Sequence, residues 1–153
     1  MPPESVRVRV TRLAHGTGLP LPVYSSDGAS GADVCAAVEE DVVLQPGARA
    51  AVPTGLCVEI PVGYEIQVRA RSGLALREGL GLVNAPGTID ADYRGEIKII
   101  LINHGSSDVR IKRGDRIAQL VLAPVVHAAF EESHELAASE RGEGGFGSTG
   151  VRG

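Results

Sequence analysis

Short apolar segments separated by Gly- and Pro-containing turns run through the first 126 residues, and this pattern most constrains the fold. Val6, Val8 and Val10 alternate with polar residues, and residues 64–70 show the same period of two, which is typical of half-buried strands. Pro and Gly occupy favoured turn positions at 45–47. Short strands at such regular spacing predict an all-β, jelly-roll-like sandwich or barrel. The further strands are expected at 32–38, 42–44, 49–53, 57–60, 82–83, 97–102, 109–111 and 116–126.

Before the C-terminal tail, a helix is expected only over residues 72–78. Ser72 is a good N-cap, and Gly79 can close the last turn. Arg71-Ser72-Gly73 is an anion-binding candidate, because a helix N-terminus presents free amides and a partial positive charge. The segment 114–120, with polar Gln119 in an apolar strand, is another candidate, although a buried glutamine more often simply pairs with the backbone.

In two of the expected strands, apolar and polar residues do not alternate. Residues 97–102 and 120–126 are almost continuously apolar, and strands of that kind are buried on both faces. In a domain this small, a second copy of the chain can cover the second face. The sequence therefore predicts a homo-oligomer.

Charge and composition exclude several classes of function. A net charge of −4 argues against a nucleic-acid-binding protein, which would carry a basic face. A highly anionic ligand would then need local basic residues or a metal ion.

The N-terminus lacks the features of a signal peptide, and no apolar run approaches the ~20 residues of a membrane span. We therefore expect a cytoplasmic protein without a membrane partner, in which Cys35 and Cys57 are buried, reduced thiols.

Composition changes near residue 131, which divides the chain into a β domain at 1–131 and a tail at 132–153. The end of the tail is dominated by glycine and cannot bury enough apolar surface to order itself. Its glycines match G-x-G-x-x-G and nearly match a phosphate-binding loop, but no helix follows, and Ser148 stands where such a loop needs lysine. We expect a flexible tail that orders only when something binds it.

The segment Gly87–Glu96 concentrates polar chemistry in a small-residue background. It contains two carboxylates, a tyrosine and an arginine between flanking glycines. Apolar residues at 82–83 and 97–102 lie on either side, so we expect a hairpin tip that carries these groups on a rigid sheet. The alternative is an ordinary solvated hairpin.

Five segments in this order resemble the five motifs of the trimeric dUTPase family: 31–33, 71–75, 84–95, 114–120 and 141–150. Any one of them is weak or moderately specific, whereas all five in order are specific. Together they span nearly the whole chain, with Ala70 standing where the family often has proline. The resemblance implies a jelly-roll homotrimer with shared sites, a C-terminal tail that closes over each site, and Mg²⁺-dependent hydrolysis of dUTP to dUMP and pyrophosphate. That activity limits uracil in DNA and supplies dUMP for thymidylate synthesis.

The resemblance also implies roles for individual residues. Asp90 would deprotonate the attacking water, Tyr93 would pack on the deoxyribose and exclude a 2′-hydroxyl, and Asp33 would touch Mg²⁺ through water. The uracil edge would be bound by Asn84 and by backbone around Lys98. The full substrate-binding set is Arg71, Ser72, Gly73, Asn84, Gly87, Thr88, Ile89, Asp90, Tyr93, Lys98, Gln119, Arg141, Phe146, Gly147, Ser148 and Thr149.

Two other functions are open to such a chain. A dCTP deaminase shares the fold, but it is less similar in the glycine-rich tail and at the position of Tyr93. A catalytically idle β trimer could bind nucleotides as a sensor, or regulate a partner protein.

Overall fold

The computed structural model describes residues 4–152. Met1–Pro3, in the segment expected to lack signal-peptide features, and Gly153, in the expected tail, lie outside the described residues. Eleven strands, one α-helix and a short 3-10 helix (Ala14–Gly16) make up the regular structure of that range. The elements are β1 Arg9–Arg12, β2 Val23–Tyr24, β3 Ala32–Cys35, β4 Val42–Leu44, β5 Arg49–Glu59, β6 Tyr64–Arg69, α1 Ser72–Glu78, β7 Leu80–Leu82, β8 Gly87–Ile89, β9 Glu96–Asn103, β10 Val109–Ile111 and β11 Arg116–Pro124.

The strands form two larger sheets and one small one. The four-stranded sheet has the order β1-β5-β9-β7, the five-stranded sheet β2-β3-β11-β6-β8, and the small sheet β10-β4. Every pair is antiparallel. Side chains from both larger sheets, such as Val52, Ile99, Val68 and Ile117, belong to one buried apolar cluster. The expected all-β, jelly-roll-like class is confirmed.

Several expected strand bounds were wrong. β7 lies at Leu80–Leu82 rather than 82–83, and β11 ends at Pro124 rather than at 126. The first strand is hydrogen-bonded over Arg9–Arg12 rather than 6–10, because its partner in β5 is Leu56–Glu59. β3 ends at Cys35, although burial continues to Val38. The two strands expected at 49–53 and 57–60 are one strand, β5, interrupted by a bulge at 54–56.

The segment Gly87–Glu96 is not a simple hairpin tip. β7 and β9 do pair, as the flanking apolar residues predicted, through Leu80↔Asn103 to Leu82↔Leu101. Between them, however, Gly87–Ile89 forms β8 and pairs with β6 in the opposite sheet. The segment therefore crosses from one sheet to the other and back, so that both sheets hold it.

The helix extends over Ser72–Glu78 as expected, and Gly79 closes it with φ 70°. Its N-cap residue is Arg71 rather than Ser72, and no side chain caps the first turn. The prediction of the helix was correct, and the prediction of its cap was wrong.

The outward faces of the two apolar strands are only half-buried in a single chain. The half-buried side chains on these faces include Ile100 and Ile102 in β9 and Val121 in β11. These faces are available to a second copy of the chain. Residues 125–152 contain no helix or strand, and within residues 4–152 no helix is long and apolar enough to cross a membrane.

Candidate active site

Asp33 is a buried carboxylate at the centre of a polar network on the five-stranded sheet. Its Oδ1 accepts Nε–H of Arg71 at 3.2 Å and the side-chain amide of Gln119 at 3.4 Å. Its Oδ2 accepts the hydroxyl of Ser25 at 3.1 Å and Nη1–H of Arg116 at 3.2 Å. A carboxylate offers about four lone-pair positions, so these four donors fill the acceptor capacity of Asp33.

Strand register and a close approach assemble this network. β3 and β11 pair Asp33 directly with Gln119. A Cβ on Gly31 would lie 2.9 Å from Cβ of Gln119, so only glycine lets the glutamine pack here. Arg71 follows β6 and also donates Nη1–H to the carbonyl of Arg116 at 3.1 Å. The network carries two guanidiniums against one carboxylate, a local positive charge that suits an anionic ligand.

Ser72 and Gly73 continue from Arg71 into the first turn of α1. Ser72 is exposed and Gly73 is half-buried. A Cβ on Gly73 would lie 3.2 Å from Nη1 of Arg77, an exposed side chain that can move aside. The structure thus groups the four expected phosphate-binding residues of the β domain, Arg71, Ser72, Gly73 and Gln119, with Asp33.

A second polar group lies along β8 and the turn that follows it. Gly87 and Ile89 are buried, while Thr88 and Asp90 are exposed. The backbone N–H of Tyr93 donates to the carbonyl of Asp90 at 3.1 Å, which ties these two residues into one turn. Asp90 forms no ion pair with any residue from 4 to 152. Both of its carboxylate oxygens therefore remain available to water or a ligand.

Asn84 and Lys98 belong to the same region. The amide N–H of Val83 donates to the carbonyl of Ile100 at 3.1 Å, so Asn84 directly follows the β7–β9 ladder and lies near the Lys98 end of β9. A Cβ on Gly87 would lie 3.2 Å from the amide nitrogen of Asn84. Glycine at 87 therefore lets the asparagine approach β8 closely.

A single chain does not bring these two groups together. Gln119 pairs with Arg69 in β6, whereas Ile89 pairs with Ile66, three residues away along the same strand. That offset corresponds to roughly 10 Å, and the three strand spacings from β3 to β8 add roughly 14 Å across the sheet. Asp90 is consequently remote from the Asp33 network of its own chain.

The surface clefts show the same division. A groove of about 1050 Å³ is lined by Asp90, Asp92 and Arg94 and by residues 59–65 and 125–127. A smaller cleft of about 370 Å³ is lined by Arg71 and Arg116 among other residues. The two clefts share no lining residue.

The tail forms tight turns in which all the predicted residues are exposed. Arg141 donates Nε–H to the carbonyl of Gly144 at 2.6 Å, and the N–H of Ser148 donates to the carbonyl of Gly145 at 3.0 Å. Phe146 is fully exposed and has φ 50°. Gly147, Ser148 and Thr149 are likewise on the surface.

Two members of the Asp33 network, Arg116 and Ser25, were not among the predicted site residues. Arg116 lies in the segment 114–120 that carries Gln119, and a charged residue at the start of an otherwise apolar strand was an available signal. Ser25 lies outside all of the expected strands and the expected helix, where no local pattern identifies it. Both reach Asp33 across the sheet.

Cys35 is buried next to this network. Burial raises the pKa of its thiol, while the nearby guanidinium of Arg116 opposes the shift. A thiol that keeps its proton is a poor nucleophile, so Cys35 is a core residue. Cys57 is half-buried, and both cysteines are free.

Comparison with known proteins gives one consistent family. A family model described as dUTPase matches residues 18–150. The deoxyuridine 5'-triphosphate nucleotidohydrolase of Zymomonas mobilis subsp. mobilis is 60% identical over 146 residues, which cover 95% of this chain and 99% of that protein.

Two solved structures extend the comparison to the fold. The dUTPase of Staphylococcus bacteriophage 80alpha with dUPNHPP has a TM-score of 0.86 and 30% identity, covering 96% of this chain and 100% of that one. A mutant dUTPase from phage phi11 of S. aureus, with a coordinated structural Mg(II) ion, has a TM-score of 0.75 and 25% identity, covering 85% of this chain and 98% of that one.

Proposed function

The chain belongs to the dUTPase family and is a dUTP nucleotidohydrolase, and we propose that Asp90 activates the water that attacks the α-phosphorus. The supporting observation is the contrast between two carboxylates. All four acceptor positions of Asp33 are filled, whereas Asp90 is exposed and has no ion-pair partner in the described chain. A general base needs a free oxygen within reach of the water, and of these two carboxylates only Asp90 offers one.

The reaction balances without a covalent enzyme intermediate. Asp90 takes one proton of the water while the water oxygen bonds to the α-phosphorus. The bond from that phosphorus to the α–β bridging oxygen breaks, and pyrophosphate leaves. dUMP is the other product. The reaction removes dUTP, which limits uracil in DNA, and supplies dUMP for thymidylate synthesis.

Substrate recognition divides between the two groups of residues. Arg71, Ser72, Gly73 and Gln119 hold the phosphate chain, with Arg116 as a further local positive charge. Asn84 and the backbone near Lys98 bind the uracil edge, beside the β8 residues Gly87, Thr88 and Ile89. Tyr93 packs on the sugar and leaves no space for a 2′-hydroxyl. Arg141, Gly147, Ser148 and Thr149 of the tail close on the γ-phosphate, with Phe146 over the base.

The residues fit Mg²⁺ that is held mainly by the substrate. No three His, Cys, Asp or Glu side chains in residues 4–152 are grouped to bind a metal directly. Mg²⁺ is often bound by one or two carboxylates together with substrate phosphates and water. Asp33 would contact its hydration shell once a donor moves away, and Gln119 at 3.4 Å makes the longest of the four bonds. Bound Mg²⁺ would offset part of the triphosphate charge.

The complete site is assembled from a homotrimer. Asp90 and the Asp33 network lie too far apart in one chain to act on one phosphate group, and they line separate clefts. In a closed ring of identical subunits, Asp90 of one subunit can face the Asp33 network of the next. The half-buried apolar faces of β9 and β11 supply surface for such contacts.

Product analysis tests the reaction. The protein is incubated separately with dUTP, dCTP and UTP in the presence of Mg²⁺, and the products are identified by chromatography. We expect dUMP and pyrophosphate from dUTP only. Formation of dUTP or dUMP from dCTP would indicate a deaminase, and binding without turnover would indicate a nucleotide sensor.

A further inference from the structure

The ring of Tyr93 is held by Gly95, which directly precedes β9, and by Glu96, the first residue of β9. Its hydroxyl donates to the backbone carbonyl of Glu96 at 2.9 Å. A Cβ on Gly95 would lie 2.4 Å from that hydroxyl oxygen and 2.6 Å from Cζ of the ring. The ring therefore lies directly against Gly95, in space that any side chain would occupy.

Glu96 is in turn anchored to a separate part of the fold. Its carboxylate accepts the backbone N–H of Gly55 at 2.9 Å and contacts Nε2 of His15. The Glu96 side chain is only 13% exposed. The bulge in β5 turns the Gly55 amide toward this carboxylate at the point where the β5–β9 register shifts.

Gly55 packs closely against the 3-10 helix Ala14–Gly16. It has φ 68°, and a Cβ there would lie 2.5 Å from Cα of Gly16. The carboxylate of Glu96 is thus held by a glycine that packs against this 3-10 helix. A continuous set of contacts runs from that helix through Glu96 to the ring of Tyr93.

We propose that Gly95 and Glu96 are positioning residues that set the preference for deoxyribose over ribose nucleotides by fixing the ring of Tyr93. This inference rests on the proposed role of Tyr93 against the sugar. Exclusion of a hydroxyl group depends on how closely the ring approaches C2′ of the sugar, and a shift of about 1 Å can change rates by up to ~100-fold. The phenol hydrogen is already donated to Glu96, so Tyr93 acts through the shape of its ring.

Four variants test the proposal, with selectivity as the readout. kcat/KM is measured for dUTP and for UTP, and the ratio of the two values is compared with that of the wild type. We expect Gly95→Ala and Glu96→Ala to lower the ratio roughly tenfold or more, because a displaced ring admits the 2′-hydroxyl. Glu96→Gln should retain most of it, since its amide oxygen can still accept from Gly55. Asp41→Ala removes the carboxylate of an exposed ion pair with Arg110 and should leave the ratio unchanged.

Tyr93→Ala separates failure of this inference from failure of the proposed role of Tyr93. If Tyr93→Ala lowers the ratio while Gly95→Ala and Glu96→Ala stay within about twofold of wild type, the positioning role is overturned and the role of Tyr93 stands. If Tyr93→Ala leaves the ratio unchanged, the proposed contact between Tyr93 and the sugar is wrong. The positioning role that rests on this contact is then overturned as well. Thermal unfolding is followed for every variant. Should Glu96→Ala fail to fold, Gly95→Ala decides, because Gly95 is exposed and its φ lies outside the left-handed region.

Discussion

The Arg71 side chain donates its Nε–H to the carboxylate of Asp33 at 3.2 Å, and that carboxylate is only 5% exposed. Arg116 donates to the other oxygen at the same distance. One buried negative charge therefore holds two guanidiniums side by side, a spacing that their mutual repulsion would otherwise oppose. The positive charge expected to attract phosphates is thus maintained by an acidic residue.

Replacing Asp33 with Asn should weaken both the fold and substrate binding. The amide lacks the charge that pairs the two arginines, so we expect a loss of about 1–3 kcal/mol in the free energy of unfolding, since both arginines are partly exposed. KM for dUTP should rise by roughly tenfold or more as the guanidiniums separate. Chemical denaturation and steady-state kinetics measure the two effects.

The matched control is Asp41→Asn, which disrupts an exposed ion pair with Arg110. Exposed pairs contribute about 0–1 kcal/mol, and Asp41 is not part of the proposed site, so neither quantity should change much. Wild-type stability and KM in Asp33→Asn would contradict the role assigned to this carboxylate.

Asp90→Asn should abolish turnover while dUTP binding remains largely intact. The amide preserves size and hydrogen-bonding capacity but cannot accept the proton of the attacking water. Asp92→Asn is the control, because it is the same change two residues further along the turn, on a side chain that is likewise exposed. Turnover is measured by pyrophosphate release and binding by calorimetry. Near-wild-type turnover in Asp90→Asn would rule out Asp90 as the general base.

Truncation after Glu140 should leave a folded protein with severely reduced hydrolysis. The removed residues include Arg141 and Phe146, and the removed segment contains no helix or strand within the described residues. Circular dichroism, unfolding temperature and kcat/KM are compared with those of the full chain. A lost unfolding transition would instead show that the tail is part of the structural core.

Much of this architecture follows from local sequence patterns. The period-two alternation at 64–70 predicted β6, and the Ser72–Gly79 segment predicted the helix and its left-handed terminus. Each of these features depends on residues that are close in the sequence. The end of the helix, for example, needs a glycine that can adopt φ 70°. The all-β class followed from the spacing of such segments.

Other features depend on contacts between distant residues and could not be predicted in this way. Gly87–Ile89 looks like part of a hairpin locally, yet it pairs with β6 because that strand offers a free edge. The Gly55–Glu96 contact and the arginine and glutamine partners of Asp33 likewise join residues that are 38 or more positions apart. The dUTPase resemblance identified Arg71 and Gln119, but it did not assign a role to Arg116.

Cys35 should make stability depend on pH in the alkaline range. Burial raises the pKa of its thiol in the folded protein, so above about pH 8.5 the unfolded chain loses this proton first. The unfolded state then binds fewer protons, and the free energy of unfolding falls as pH rises. The contribution of the protonated Cys35 thiol to the free energy of unfolding is fully present below the pKa of the thiol in the unfolded state. It is lost as pH rises through the pKa of the thiol in the folded state.

Cys35→Ala removes that titration. Its unfolding free energy is compared with that of the wild type from pH 7 to 10 under reducing conditions. The cavity lowers stability at every pH, whereas the difference between the two proteins should narrow above about pH 8.5. A constant difference across the range would contradict the raised pKa.

Mixed oligomers should recover activity from two inactive chains if each site is shared between subunits. One chain carries Asp90→Asn with an intact tail, and the other retains Asp90 but ends at Glu140. The two are refolded together in equal amounts, and mixed oligomers are confirmed by native mass spectrometry. Each chain alone should show almost no dUTP hydrolysis.

The expected recovery follows from random assortment. A site built from Asp90 of one subunit and the tail of another receives a functional copy of each element with a probability of one half. Roughly a quarter of the sites should then contain both elements in a closed cyclic assembly. If each chain built its own site, every site would still lack one element, and activity would stay at the level of the separate variants. Confirmed mixed oligomers without added activity would exclude a site shared between Asp90 of one subunit and the tail of another.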